Sequence, residues 1–162
     1  MKQDLYDHIV GYIVENQNTF YRLAYSYVRD REDALDVVQS AVCKALEHYG
    51  RIRNKEAVRT WFYRILVNES LQLMKARNRF SLTGQEQEEG SYEEKGFEMQ
   101  DDLYDEISRL DGETQTIIKL RYFEELPLKE IAQIMEMNLN TVKAKLYRGL
   151  KQLKVNIQEV GE

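Results

Sequence analysis

The sequence has very few of the residues that build disulfides and metal centres. Among its 162 residues are one cysteine, Cys43, and two histidines, His8 and His48. A disulfide needs a second cysteine, and structural zinc sites draw their ligands mainly from Cys and His. No disulfide framework, metal centre or bound cofactor is therefore expected, and Cys43 is interpreted as a small core or boundary residue.

Long apolar runs and catalytic patterns are also missing. No run approaches the length of about 20 residues that spans a membrane, and no basic-then-apolar signal opens the chain, so a cytoplasmic location is expected. No Ser, His and acid pattern of a hydrolase and no Gly-rich phosphate loop can be assembled. The sequence therefore predicts a protein that is not an enzyme, with no catalytic residue and no small-molecule substrate.

The charge is distributed very unevenly along the chain. The formal net charge is -5, but Gln85 to Glu106 holds ten acids against the single base Lys95. The rest of the chain is net +4, and Arg51 to Arg79 carries eight bases against two glutamates. Phosphates are met by local patches rather than by net charge, so an acidic total does not exclude a nucleic-acid partner.

One proline, eight glycines and persistent helical periodicity predict an all-α chain. Helical segments are expected at about Leu5 to Val28, Arg31 to Tyr49 and Val58 to Arg79, and again from about Asp101. Trp61 is assigned to the core of the third segment. The acidic sequence between the third segment and the segment that starts at about Asp101 is typical of a flexible linker. The predicted organisation is two small helical domains, at 1–80 and 101–162, joined by a linker at 81–100.

The segment from Leu126 to Leu153, LPLKEIAQIMEMNLNTVKAKLYRGLKQL, has the pattern of a helix-turn-helix. Asn138 is a plausible cap for its second helix, because an Asn side chain can accept from the first unpaired amides. That helix carries bases and no acid. An apolar seam at helical spacing is formed by Val142, Leu146, Leu150 and Leu153. The motif suggests contact with DNA, whereas the alternative from the residues alone is an ordinary solvated helix pair in a small bundle.

The order of the motifs resembles the bacterial RNA polymerase sigma factors of the compact extracytoplasmic-function group. An EDALDVVQ element is followed by a basic loop, by TWFYRILVNESLQLMKARNR, by an acidic linker and by the helix-turn-helix. The resemblance spans about Phe20 to Leu153 without the linker, and its two halves match independently. It implies a subunit that binds core polymerase and directs it to promoters.

The resemblance implies two functional surfaces in the N-terminal domain. The helix of the EDALDVVQ element would bind the β′ coiled coil of the polymerase, with Asp33, Asp36 and Gln39 as candidates. The β flap of the polymerase is an expected partner of the chain as a whole. The basic loop and the Trp helix would hold the melted non-template strand, where cations meet the backbone and amides or a pocket hold an extruded base. The candidates for this role are Arg53, Asn54, Lys55, Glu56, Arg64 and Asn68.

In the C-terminal domain the resemblance implies that the second helix of the motif enters the major groove of the upstream duplex element. Base edges would be reached from its early turns, and phosphates from later or lateral positions. The base-edge candidates are Asn140, Thr141, Lys143, Ala144 and Tyr147. The phosphate candidates are Lys145, Arg148 and Lys151, with Arg121 and Lys129 from the preceding segment.

Four positions depart from the family pattern. Glu136 stands where glycine is usual in the turn, so it must adopt a left-handed conformation or the turn must differ. Gln72 and Lys75 replace a common acid and base near the end of the promoter-melting helix, and Gly149 replaces alanine.

The family also implies an inhibitory anti-sigma factor, often membrane-anchored. Two alternatives remain from the residues: a repressor or activator that never touches polymerase, and a helical adaptor that binds only protein. The repressor or activator would bind palindromic operators, which a sigma factor would not require. The adaptor would keep its function when the charges of Lys143 and Arg148 in the second helix are reversed.

Overall fold

The computed structural model describes residues 2–82 and 98–161, and the chain divides into two compact units, Met1–Glu86 and Gln87–Glu162. Within the described ranges the regular structure is helical, as predicted. Most of the predicted acidic linker lies outside these residues. The helices are α1 (Lys2–Glu15), α2 (Gln17–Val28), α3 (Arg31–His48), α4 (Val58–Leu82), α5 (Glu98–Ser108), α6 (Gly112–Ile118), α7 (Leu128–Met135) and α8 (Leu139–Gly161).

The first predicted segment is broken in two by Asn16. Its backbone leaves the helical region, with φ -114° and ψ 16°, while its side-chain Nδ2 donates to the Tyr12 carbonyl at 2.8 Å. Asn competes well for backbone hydrogen bonds, and here it satisfies the end of α1 and allows α2 to begin. The expectation of one continuous segment from Leu5 to Val28 was therefore wrong at this residue.

The core of the N-terminal unit is an aromatic cluster between α2 and α4. The fully buried ring of Phe20 lies 4.7 Å from that of Phe62 and 5.7 Å from that of Tyr63, measured between centroids. Such tilted and edge-on arrangements are the favoured geometries of aromatic pairs. Trp61, which was predicted to lie in the core, is only half-buried. The helical phase of α4 instead directs the neighbouring Phe62 inward.

Helix α3 buries a narrow stripe of small side chains against α2 and α4. Asp30 caps its first turn by accepting from the Asp33 backbone N–H at 2.9 Å. The buried stripe consists of Ala34, Val37, Ala41 and Ala45. Cys43 was expected at the core or its boundary, but it is exposed because position 43 falls on the outward side of this helix.

In the C-terminal unit, α8 packs against α5, α6 and α7. The contact with α6 is very close at Gly149, where an added Cβ would lie 2.5 Å from the Thr114 Cγ2. A π-helical turn over Lys119–Phe123 follows α6. Lys119 is 1% exposed, and its Nζ donates to the Gln115 Oε1 at 2.9 Å. The unit therefore buries a charge-bearing side chain at the start of this π-helical turn.

Candidate nucleic-acid interface

Helices α7 and α8 form the predicted helix-turn-helix, and the chain turns between them at Glu136. This residue is left-handed, with φ 54° and ψ 47°. The Met137 N–H donates to the Ala132 carbonyl at 3.0 Å, and the Glu136 N–H donates to the Gln133 carbonyl at 3.3 Å. These are the two hydrogen bonds of a Schellman motif. The turn therefore keeps the geometry that glycine usually provides, with a glutamate in the left-handed position.

Asn138 begins the second helix of the motif, as predicted. Its side-chain Oδ1 accepts from the Asn140 N–H at 2.8 Å, and its carbonyl accepts from the Val142 N–H at 3.1 Å. Val142, Leu146 and Leu153 are buried, so the predicted seam does attach α8 to its unit. The outward side of α8 is set by this attachment.

The outward side of α8 carries nearly all of its candidate DNA-contacting residues. Tyr147 is the most prominent, with 61% of its surface exposed. The other exposed candidates on this helix are Asn140, Thr141, Lys143, Ala144, Arg148 and Lys151. In an α-helix, residues three and four apart lie on one face, so Asn140, Lys143 and Tyr147 form a row. We call this set of exposed residues the α8 surface.

Lys145 does not share this exposure. Its side chain is 23% exposed, and its Nζ lies 3.3 Å from the Glu113 Oε1 in the first turn of α6. It also lies near Asp111, which caps α6 by accepting from the Thr114 N–H at 3.2 Å. Partial burial alone would raise the pKa of Asp111, but the Thr114 hydrogen bonds and the positive charge of Lys145 outweigh burial and lower it. In the free chain Lys145 thus joins α8 to α6.

Arg121 and Lys129, the two candidates before α8, are both exposed. The Arg121 Nη1 donates to the Leu126 carbonyl at 3.2 Å. That bond braces the segment between the π-helical turn and α7, and it leaves other guanidinium N–H groups for a phosphate.

The loop between α3 and α4 has a defined shape. The Ile52 side chain is buried, and the Tyr49 ring meets that of Tyr6 edge-on at 5.2 Å. The Asn54 Oδ1 accepts from the Ala57 N–H at 3.0 Å, which caps the short 3-10 turn of Lys55–Ala57. The exposed side chains of the loop are Arg53, Asn54, Lys55 and Glu56. Asn54 therefore shapes the loop in which it was predicted to bind a strand.

Two further strand-binding candidates lie on α4 after this loop. Asn68 is exposed and Arg64 is half-buried. The adjacent Glu69 forms an ion pair with Lys44, which ties α4 to α3. Arg64 and Asn68 are four residues apart, so they share one face of α4.

Helix α3 presents a polar outward face that also contains an exposed leucine. Asp36 and Gln39 are exposed, and Leu35 beside them is 51% exposed. Sequence reasoning missed Leu35, although its position out of phase with the buried alanine stripe could have revealed it. Asp33 differs from the other candidates because its carboxylate pairs with Arg77 of α4. We call Leu35, Asp36 and Gln39 the α3 surface.

Among the residues that the structure describes, no group of three or more His, Cys, Asp or Glu side chains is placed to hold a metal ion. Over the same residues, no helix is both long enough and apolar enough to cross a membrane.

Fold and surfaces together define a helical protein of two units, one carrying an exposed helix-turn-helix and the other a shaped basic loop beside a polar helix face. Comparison with known families identifies both units. The profile described as "Sigma-70 region 2" matches residues 12–80, and that described as "Sigma-70, region 4" matches residues 100–153. The chain belongs to the sigma-70 family of RNA polymerase sigma factors.

Relatives and solved structures agree with this assignment. The chain is 39% identical over 150 residues to RNA polymerase sigma factor SigV of Bacillus subtilis, covering 92% of this chain and 90% of that protein. It is 28% identical over 158 residues to the ECF RNA polymerase sigma-E factor of Haemophilus influenzae, covering 88% of this chain and 83% of that one.

The fold is shared with the sigma factor RpoE of Bartonella quintana, solved in complex with the anti-sigma factor NepR, with a TM-score of 0.74 and 19% identity over 91% of this chain and 95% of that one. CnrH, solved with the cytosolic domain of CnrY, gives a TM-score of 0.75 and 15% identity over 93% of this chain and 88% of that one. The resemblance to extracytoplasmic-function sigma factors is confirmed. The chain is an RNA polymerase sigma factor that directs transcription initiation, and the repressor alternative is not favoured.

Proposed function

We propose that this sigma factor works through three surfaces: the α3 surface for core polymerase, the loop of residues 52–57 with α4 for the melted promoter strand, and the α8 surface for the upstream duplex. The observation that carries the proposal is that most of the predicted contact residues are exposed and fall into three separate groups, on α3, on the loop with α4, and on α8. Two of these groups lie in one unit and the third in the other.

The α3 surface suits a protein partner better than a nucleic acid. It combines the carboxylate of Asp36 and the amide of Gln39 with the apolar side chain of Leu35. A carboxylate repels phosphates, whereas an exposed leucine within a polar rim is typical of the centre of a protein interface. We assign this surface to the β′ coiled coil of the polymerase, and we assign a contact with the β flap to the C-terminal unit.

The loop and α4 offer what capture of a single strand requires. Arg53 and Lys55 supply cations for the backbone, while Asn68 supplies an amide for a base edge and Arg64 a guanidinium beside it. The buried Ile52 and the cap at Asn54 hold this loop in one shape before any strand arrives. A preformed loop lowers the ordering cost of binding, so it favours trapping of extruded bases.

The α8 surface has the features of a major-groove reader. Its first turns expose Asn140, Thr141 and Lys143, and Tyr147 follows one turn later. Amides, hydroxyls and cations can pair with base edges, and Arg148 and Lys151 can pair with phosphates. Each bidentate base contact contributes about 1 to 3 kcal/mol of discrimination. This is modest alone, so promoter choice depends on the second attachment through polymerase.

We further propose that an anti-sigma factor regulates the chain by covering these surfaces. Support comes from the two structural neighbours, each of which was solved with an anti-sigma protein or with the cytosolic domain of its partner CnrY. The partner is expected to be membrane-anchored, and the chain is expected to act in the cytoplasm and to contribute binding rather than catalysis. Membrane fractions that sequester the chain and release it on an extracellular signal would support this arrangement.

Reconstitution with purified core polymerase tests the proposal. Addition of the chain should produce transcripts from a specific set of promoters, and the isolated chain should bind the same DNA weakly. Asp36→Asn together with Gln39→Ala should weaken core binding by more than about tenfold. Glu47→Gln changes an exposed acid on the same helix and should leave core affinity unchanged. Tight binding of the isolated chain to palindromic DNA without polymerase would contradict the proposal.

A further inference from the structure

Arg77 joins three helices of the N-terminal unit. From α4, its Nη1 donates to the Val28 carbonyl at 2.8 Å, and its Nη2 forms an ion pair with the Asp33 carboxylate. Val28 is the last residue of α2, and Asp33 lies in the first turn of α3. One guanidinium therefore contacts the end of one helix and the start of the next.

The chain between these two contacts is tightly specified. Arg29 is left-handed at φ 52°, and its N–H donates to the Tyr25 carbonyl at 2.8 Å, which ends α2. Asp30 then caps α3 through the Asp33 N–H. The last carbonyls of a helix lack partners within the helix, so a guanidinium at Val28 satisfies one of them. A planar fork can meet a carbonyl and a carboxylate at once, which a lysine ammonium does less well.

A second tie lies further along the same pair of helices. Lys44 of α3 pairs with Glu69 of α4. The two ties are eleven residues apart on α3 and eight apart on α4, which corresponds to about 16 Å and 12 Å of helix. One tie would allow the helices to pivot about it, whereas two separated ties fix the angle between them.

We propose that Asp33 and Arg77 form an internal clasp that sets the orientation of α4 against α3, and that Asp33 is a positioning residue for the strand-binding surface rather than a contact for polymerase. The inference rests on the proposed function, since it presumes that α3 carries the polymerase surface and α4 part of the strand-binding surface. It revises the prediction that grouped Asp33 with Asp36 and Gln39. Asp33 resembles those residues in sequence position, but its carboxylate is engaged within the chain.

The test is a double-mutant cycle in the full chain, with Asp33→Asn, Arg77→Met and both together. Asp36→Asn serves as the benchmark for a direct polymerase contact. Three quantities are measured where every variant is folded: the urea midpoint, the affinity for core polymerase, and the permanganate reactivity of promoter thymines in the polymerase complex. The last reports strand opening, which a purely structural loss of stability would not change under these conditions.

Asp33→Asn and Arg77→Met should each reduce strand opening by about threefold, and the double variant should be no worse than Arg77→Met alone, because that variant already removes the ion pair with Asp33 as well as the bond to the Val28 carbonyl. Each should alter core affinity by less than about twofold, whereas Asp36→Asn weakens it by about tenfold. Lys44→Met, which removes the other tie, should also reduce opening without loss of core affinity.

Two outcomes overturn the clasp: a loss of core affinity in Asp33→Asn equal to that in Asp36→Asn, or additive effects of Asp33→Asn and Arg77→Met on opening. A different outcome, in which Asp36→Asn leaves core affinity intact, removes the assignment of the α3 surface. The cycle at Asp33 and Arg77 still decides the clasp in that case.

Discussion

The candidate binding surfaces of the two units are built in different ways. In the C-terminal unit nearly all of the candidates project from one helix, α8. Lys145 is paired with Glu113 of α6, and Arg121 donates to the Leu126 carbonyl. In the N-terminal unit the candidates come from a loop and two helices, and Asp33 and Asn54 are bonded within the chain. A helix fixes its side chains through its own backbone, whereas a loop needs side chains to hold its shape.

This difference determines what a substitution removes. On the α8 surface, replacing an exposed side chain removes that side chain's own contact with DNA. In the loop of residues 52–57, the same replacement also removes part of the framework that holds the neighbouring residues. The C-terminal unit can lose its shape too, but through its buried contacts rather than through its exposed ones.

The largest effect is expected where α8 meets α6. Gly149→Ala places a Cβ 2.5 Å from the Thr114 Cγ2 and 3.1 Å from the Ile118 Cδ1. Thr114 is buried and its side chain hydrogen-bonds to Asp111, so turning its methyl group away would break that bond. We expect a loss of about 1 to 3 kcal/mol in the unfolding free energy of this unit. Urea unfolding followed by NMR signals of each unit measures this loss.

The double variant Gly149→Ala with Thr114→Ser removes the clashing methyl group and should recover most of the lost stability. Gly11→Ala is the matched control, because nothing lies within 4 Å of a Cβ at this exposed helical position. It should stabilise α1 by about 0.5 to 1 kcal/mol, which is the usual preference of a helix for alanine. A stable Gly149→Ala protein would contradict the close contact.

On the α8 surface, Lys143→Glu should reduce transcription from the cognate promoter by about tenfold without changing the stability of the fold. The side chain is exposed, so only its contact with DNA is lost. Lys154→Glu makes the same charge change later on the helix and should have a much smaller effect. Equal effects of the two variants would indicate general electrostatic attraction rather than a defined surface.

In the loop, Asn54→Ala should reduce promoter opening several-fold, because loss of a cap costs about 1 kcal/mol in the ordering of the turn. Asn54→Ser keeps a capping oxygen without the amide. If serine restores opening, Asn54 acts by shaping the loop; if it does not, the amide itself reads a base. Permanganate footprinting of the polymerase complex distinguishes the two.

At the turn of the helix-turn-helix, Glu136→Gly should stabilise the C-terminal unit by about 0.5 to 1 kcal/mol. Glycine adopts the left-handed conformation without strain, although it also gains entropy in the unfolded chain. Asn at this position should give part of the same gain. Destabilisation by both substitutions would mean that the Glu136 side chain contributes more than its backbone strain costs.

The smallest effect should come from acidification. The pKa of Asp111 lies below its usual value of 3.8, so the folded state favours its charged form. This contribution to stability is complete above about pH 4 and is lost as the pH falls through the lowered pKa. Asp111→Asn keeps a good cap that does not titrate, so its C-terminal unit should show a weaker dependence on pH between 4 and 2.

The sequence predicted the helices well where apolar spacing was regular. The seam of α8 and the cap at Asn138 follow from spacing and from local hydrogen bonding. The structure has the cap, and it buries Val142, Leu146 and Leu153 of the seam while Leu150 is half-buried. The break at Asn16 was missed because apolar residues recur on both sides of it. Trp61 was predicted to be buried, but the buried side chain is that of its neighbour Phe62, because apolar spacing alone did not decide between two adjacent aromatic residues.

The candidate surfaces could be predicted only in part. The residue types and their order identify the family, and exposure of the α8 surface follows from the phase of its seam. The pairing of Asp33 with Arg77, 44 residues away, depends on how α4 returns past α3. Lys145 is likewise only partly exposed because it pairs with Glu113, and that pairing depends on the position of α6. Such partners are set by tertiary packing, and spacing along the sequence does not contain them.

The π-helical turn at Lys119–Phe123 has a consequence for the path of the chain into the helix-turn-helix. The Glu124 N–H donates to the Lys119 carbonyl at 3.1 Å, five residues back, so the ring that this hydrogen bond closes is one residue wider than that of an α-helical turn. The turn is the last of its helix, and non-helical residues lead from it to α7. The wider turn thus sets where the chain leaves the helix and begins its approach to α7.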